Sequence, residues 1–142
     1  MRYTERFGLD NEVDEETLAA AREAIAGDLS RLDGRPAPDE LIGIGGAVTN
    51  LTAVKLELAD YDPDAVRGST LEAGEVERQI ELYRTRSADE RRGIVGLQPK
   101  RAEVILAGAC IVRTVLDKLG RDSLIASDRG LRHGLMLERF GA

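Results

Sequence analysis

The stretch Leu41-Ile42-Gly43-Ile44-Gly45-Gly46-Ala47-Val48-Thr49-Asn50 holds residues whose types and spacing suit anion chemistry. A short β-branched apolar run, long enough for one buried strand, breaks at two adjacent glycines. A helical pattern then begins, with Leu51, Val54 and Leu58 on one face. Such a strand, turn and helix start would aim backbone N–H groups and the positive end of a helix dipole at a phosphate. Gly45 and Gly46 would let the backbone approach a ligand closely. Thr49 adds a hydroxyl, and Asn50 either donates to a ligand or caps the helix. The same features also fit an ordinary packing turn of an α/β protein. The stretch lacks the full G-x-G-x-x-G spacing and the Lys-Ser or Lys-Thr of a P-loop.

A second junction of the same kind follows Ser123-Leu124-Ile125-Ala126-Ser127, which reads as another short strand. Asp128 there suits a helix cap better than a metal ligand, before a last helix with Leu131, Leu135 and Phe140 facing inward. Arg129 and Arg132 can neutralise phosphate or pair with surface carboxylates. His133, the only histidine, has no Ser, Cys or Asp partner at catalytic spacing. Arg91, Arg92 and Arg101 can form a basic rim, although Arg101, at the start of an apolar helix, reads as structural. Asp62 and Asp64 make a turn without calcium-loop spacing. If the two strands are parallel, as intervening helices favour, both junctions open at one edge of the sheet, where α/β proteins bind ligands.

The remaining elements must position these two junctions. Met1–Phe7 alternates weakly and reads as the tail of a strand ended by Gly8. Asp14 caps a helix with Leu18, Ala21, Ile25, Leu29 and Leu32 at helical spacing, stopped by Asp33-Gly34. Arg35-Pro36-Ala37-Pro38 is an extended linker. The helix after the glycine loop should run to about Ala59, and residues 66–71 read as a connector for which extended backbone is one option. A further helix turns Val76, Ile80 and Tyr83 inward. Ser87-Ala88-Asp89-Glu90 matches a capping box. From Pro99 to Leu119 a helix apolar on most faces reads as the core helix, with Gly120 closing it.

The chain of 142 residues suits one domain, over residues 1–142, and has an ordinary soluble composition. Its net charge of −6 argues against nonspecific DNA binding, and 4% aromatic content against a base-stacking platform. No apolar run approaches a membrane span, and the first residues have no signal-peptide core. The single Cys110 excludes an internal disulfide framework and reads as a small core residue, so the cytoplasm is the default compartment.

Four segments, in order, resemble the exopolyphosphatase and guanosine-pentaphosphate phosphatase family. Thr4-Glu5-Arg6-Phe7 looks like the end of the strand before the first helix of that family's second lobe. Gly43 to Leu51 looks like its glycine loop, usually G-x-G-G-T-x-x-x-L. Glu90 to Leu97, with Arg101 to Ala109, looks like its E-R-x-x-x-x-G-L and R-A-x-x-I-x-x-G-A segment. Ser127 to Leu135 looks like its closing S-D-x-G-L-R-x-G-L. The resemblance implies a helix-rich α/β fold with few short strands. That fold would be part of the second RNase H-like lobe of the actin-like ATPase superfamily.

The resemblance further implies phosphoanhydride hydrolysis, acting on polyphosphate or the 5′ γ-phosphate of guanosine pentaphosphate, usually with Mg²⁺. On this chain it points to Gly45, Gly46, Ala47, Thr49, Asn50, Arg129 and Arg132 as phosphate-binding. It points to no catalytic residue and no metal ligand here. The family's catalytic glutamate belongs to a first lobe, and its D-x-G-G-G-S loop has no counterpart in these residues. Ala47 stands where the family usually has Thr, and His133 where many members have Glu. The expectation is therefore a chain inactive alone, needing the missing first lobe as partner and no cofactor of its own. The alternative is a non-catalytic phosphate-binding or protein-interaction module derived from the family. Uncovered strand edges and helix faces lead us to expect a homodimer, formed by packing or by exchange of the N-terminal segment.

Overall fold

A computed structural model describes residues 2–127 and 134–136. Seven α-helices and four strands occur among them: α1 (Arg2–Phe7), α2 (Glu15–Asp28), β1 (Ile42–Ile44), α3 (Gly46–Lys55), α4 (Pro63–Val66), β2 (Thr70–Glu72), α5 (Ala73–Arg84), α6 (Ala88–Arg91), α7 (Ile105–Lys118), β3 (Ser123–Ser127) and β4 (Gly134–Met136). The helix-rich α/β architecture with short strands is the one anticipated.

The strands form one sheet in the order β2-β3-β1-β4. β1 is parallel to both neighbours, with Ile44 in register with Ser127 on one side and Met136 on the other. β2 closes the far edge antiparallel to β3. The carboxyl ends of β1 and β3 therefore lie side by side, as the two junctions require. Gly43 is buried within β1, where a Cβ would lie 3.0 Å from Val48 Cγ2 and 3.1 Å from Leu124 Cδ1. A glycine there lets α3 fold back close to the sheet.

The core centres on α7. Residues 105–112 are all buried, so every face of this helix meets protein. α2, α3 and α5 pack around it. α5 turns Val76, Ile80 and Tyr83 inward as its spacing predicts, together with Gln79. Gln79 is satisfied there: its amide donates to Leu51 O at 2.8 Å, and its carbonyl accepts from Tyr83 OH at 2.5 Å.

Several local signals hold. Asp14 caps α2 by accepting from Thr17 N at 2.7 Å, and this hydrogen bond lowers its pKa. Ser87 and Glu90 form a reciprocal capping box on α6. Gly120 follows α7 with φ +63°. Asp62 is the N-cap of α4, accepting from Asp64 N and Ala65 N.

Four expectations need correction. Residues 2–7 are a helix, because Tyr3 and Phe7 share one face at i, i+4 spacing and pack on the core. The helix after the glycine loop stops at Lys55 rather than Ala59, where Glu57 takes φ +53°. The core helix begins at Ile105. Pro99–Arg101 is a separate 3₁₀ turn, and the Ala102 carbonyl that would continue the ladder accepts from Arg91 instead. Finally, Gly134–Met136 is a strand on β1, not the middle of a last helix. Asp128, Arg129, Leu131, Arg132, His133 and Phe140 lie outside the described residues.

Candidate functional site

The glycine loop stands where β1 hands over to α3. Gly45 is the N-cap, with φ +112° and ψ 167°, a conformation open to glycine and strained for other residues. It contributes no side-chain cap to the helix. The helical ladder begins with Thr49 N donating to Gly45 O at 3.1 Å, so the amides of residues 46–48 form the leading turn. Ten residues of helix stand behind this turn and give it the positive end of a dipole.

Arg101 completes the arrangement. A Cβ added to Gly46 would fall on the Arg101 guanidinium, well inside van der Waals contact with Nη2, Cζ and Nε. The guanidinium therefore lies against the amino end of α3, in space that only glycine leaves open. Sequence spacing suggested a structural role at the base of the core helix. Instead, the 3₁₀ turn Pro99–Arg101 delivers the side chain to a loop 55 residues earlier in the chain. No local pattern signals such a pairing.

The other anticipated residues divide. Gly45, Gly46 and Ala47 form the turn itself, with the Ala47 side chain buried so that only its main chain can face a ligand. Thr49 is half-buried, and its hydroxyl donates to Gly46 O at 3.2 Å. Asn50, 3% exposed, is committed inward. Its Nδ2 donates to Gly46 O at 2.9 Å and more weakly to Gln98 Oε1 at 3.4 Å. Its Oδ1 accepts from Gln98 N at 2.8 Å. Asn50 is thus a clip joining α3 to the segment that carries Arg101.

The expected basic rim does not form as a group. Arg91 is wholly buried. Its Nε donates to Tyr83 O at 3.0 Å, Nη1 to Leu9 O at 2.7 Å and Ala102 O at 3.1 Å, and Nη2 to Asn11 O at 2.9 Å. Burial pulls its pKa down to about 10, still far above neutrality, so it is charged. Arg92 is at the surface, paired with Asp89 and with Glu103 at 3.4 Å. Burial pushes the Cys110 thiol up to about 12, which suits a core residue rather than a nucleophile.

The donor set around the loop consists of main-chain amides, a hydroxyl and a guanidinium. It suits an anion and does not fit Mg²⁺, which prefers carboxylate and water oxygen. Among the described residues no group of three or more His, Cys, Asp or Glu could hold a metal ion. No helix there is long and apolar enough to cross a membrane.

A glycine turn that opens a helix, beside an adjacent strand end and overlaid by arginine, forms one corner of an α/β lobe. The family model of the Ppx/GppA phosphatases matches residues 1–141, and the chain belongs to that family. It is 31% identical to an Aquifex aeolicus Ppx/GppA phosphatase crystal structure, with a TM-score of 0.84 over 92% of this chain and 43% of that one. It is 30% identical over 142 residues to a bifunctional 3-dehydroquinate synthase/phosphatase of Fusobacterium nucleatum, covering 97% of this chain and 21% of that protein. It is 26% identical over 104 residues to exopolyphosphatase 2 of Mycobacterium tuberculosis, covering 70% of this chain and 33% of that protein. The chain thus spans less than half the length of each of these relatives.

Proposed function

We propose that this chain forms one wall of a phosphate-binding cleft in a phosphoanhydride hydrolase. The substrate would be polyphosphate or the 5′ phosphate chain of guanosine pentaphosphate. The observation that carries this reading is the Arg101 guanidinium lying over Gly46 at the amino end of α3. Backbone amides and a guanidinium together offer a phosphoryl group several charge-assisted hydrogen bonds and a positive field. Arg129 and Arg132, which follow β3 in sequence, would add positive charge to the same cleft. The base, the metal and the attacking water would come from the partner lobe, in a cytoplasmic enzyme, and this chain alone would not turn substrate over. Family membership supports the reaction class.

The test is a titration of ¹⁵N-labelled chain with tripolyphosphate, following the Gly45, Gly46 and Ala47 amides. Saturable shifts at these three amides are expected. Arg101→Gln should weaken binding about tenfold, the equivalent of ~1.4 kcal/mol for one charge-assisted hydrogen bond. Absence of shifts at 10-fold molar excess and above, up to millimolar ligand, would reduce the loop to a packing turn.

A further inference from the structure

A cavity of about 350 Å³ is lined by Thr4, Glu5, Asp10, Glu103 and Val104, and no residue of the glycine loop takes part in it. Its walls come from α1, from the turn after α1 and from the approach to α7. Glu5, Asp10 and Glu103 are exposed, whereas Thr4 is only 6% exposed. The Thr4 hydroxyl is buried and meets no hydrogen-bond partner. Other buried hydroxyls in the chain bond a carbonyl, as Thr52 does to Val48 O at 2.8 Å and Thr114 to Cys110 O at 2.7 Å. An orphaned buried hydroxyl costs stability until some group satisfies it. Threonine in a helix has two accessible χ1 wells, so this hydroxyl can turn to meet a ligand in the cavity.

The charge of that ligand follows from the walls. Among the described residues no side-chain hydrogen bond or salt bridge engages Glu5 or Asp10. Glu103 meets Arg92 at 3.4 Å, and Arg92 is shared with Asp89. Arg91 attracts Asp10, but its own donors go to main-chain carbonyls. The amino end of α7 adds about half a positive charge, which three carboxylates outweigh. The cavity therefore favours a cation. Its carboxylates do not close on one point, since no group of three or more such residues among those described could hold a metal ion. Separated negative charges suit a ligand with separated positive ones, and Val104 adds an apolar wall for methylenes between them. We propose that this cavity binds an alkyl polyamine, its ammonium groups meeting Glu5, Asp10 and Glu103 and one of them donating to Thr4 Oγ1.

The test is a titration of the ¹⁵N-labelled full chain with spermidine, following the amides of the five lining residues. Saturable shifts with a midpoint below about 1 mM are expected. Propylamine and MgCl₂ at matched ionic strength should each bind at least about tenfold more weakly. Asp10→Asn combined with Glu103→Gln should weaken spermidine about tenfold. Thr4→Val separates ligand from scaffold. It should weaken spermidine about threefold or more while leaving urea stability unchanged or raised, because it removes a hydroxyl that the free fold does not satisfy. Absence of saturation up to about 10 mM spermidine overturns the proposal. So does equal affinity for MgCl₂ or propylamine, which would mark diffuse charge screening. So does a Thr4→Val chain that loses stability and binds spermidine as the parent does, which would make the hydroxyl a structural group.

Discussion

Replacing Arg91 should damage this fold more than replacing any surface arginine. Its guanidinium is 0% exposed and donates four hydrogen bonds to main-chain carbonyls, at 2.7–3.1 Å. No side-chain carboxylate is among these four acceptors. The charge is met instead by carbonyl dipoles, one from the last turn of α5 and one just past the 3₁₀ turn, both negative helix ends. In Arg91→Met the apolar stem is kept and the charge is removed, which relieves the cost of burying it. Three buried hydrogen bonds to carbonyls, and a fourth part-buried one at Asn11, then lose their donor. Each hydrogen bond to a charged group contributes about 1.5–3 kcal/mol, and such losses do not add fully. Removing one side of a buried charged network costs about 3–5 kcal/mol. A net loss of about 3 kcal/mol corresponds to a fall of ~10 °C in Tm for a chain of this length. Arg91→Lys keeps the charge but cannot span four carbonyls from one nitrogen, and should recover less than half. Urea unfolding followed by circular dichroism checks both variants. A loss under 1 kcal/mol for Arg91→Met, or full recovery by lysine, would refute the view of Arg91 as a hub of directed hydrogen bonds.

Two further outcomes follow from the geometry. Gly96 has φ +95°, and an added Cβ would lie 2.5 Å from Ala53 O, an immovable backbone atom. Gly96→Ala should therefore cost at least ~2 kcal/mol, whereas Gly68→Ala, at φ +83° with open space, should cost about 1 kcal/mol. Equal costs in paired urea melts would count against the close approach. Glu77 has its pKa lowered, first by the hydrogen bond from Arg22, at 2.5 Å on the nearer nitrogen. A carboxylate depressed in the folded state adds stability above its ordinary value of 4.5, lost as pH falls through the lower folded value. Glu77→Gln should be less stable than the parent at pH 6 and converge with it below that window. Parallel stability curves from pH 6 to 3 would contradict the sign.

The features legible in the sequence were those written in a few neighbouring residues. Asp14, the Ser87–Glu90 box and Gly120 act within one helical turn, so their residue types name their roles. The strands at Ile42–Ile44 and Ser123–Ser127, and their parallel pairing, followed from β-branched runs separated by helices. β2 was legible only as an optionally extended connector, because it is three residues long and buries only Leu71, which leaves no alternation to read. α1 was misread because six residues can satisfy a weak two-residue period and a helical one equally well. Arg91 was assigned to the surface because arginine usually belongs there, and nothing local shows that distant carbonyls converge on it. The Arg101–Gly46 contact joins residues far apart in sequence, and only the fold brings them together.

That contact depends on a chain of supports along residues 91–102. Arg91 anchors the segment's start in the core and grips its end through Ala102 O. Between these points Gly96 presses against the backbone of Ala53 and Val54, and Gln98 is clipped to Asn50 through a 2.8 Å amide hydrogen bond. Three attachments, two of them to α3, leave the 3₁₀ turn little freedom, and Arg101 extends from it onto the helix's first residue. An arginine proposed to meet phosphate needs such a supporting frame, because misplacement weakens charge-assisted hydrogen bonds steeply. The frame also explains how E-R and R-A, separated by nine residues in sequence, act together. Arg91 fixes the position from which Arg101 reaches, so a stability defect at Arg91 or Gly96 should carry a binding defect at Gly46, even though neither residue touches the loop.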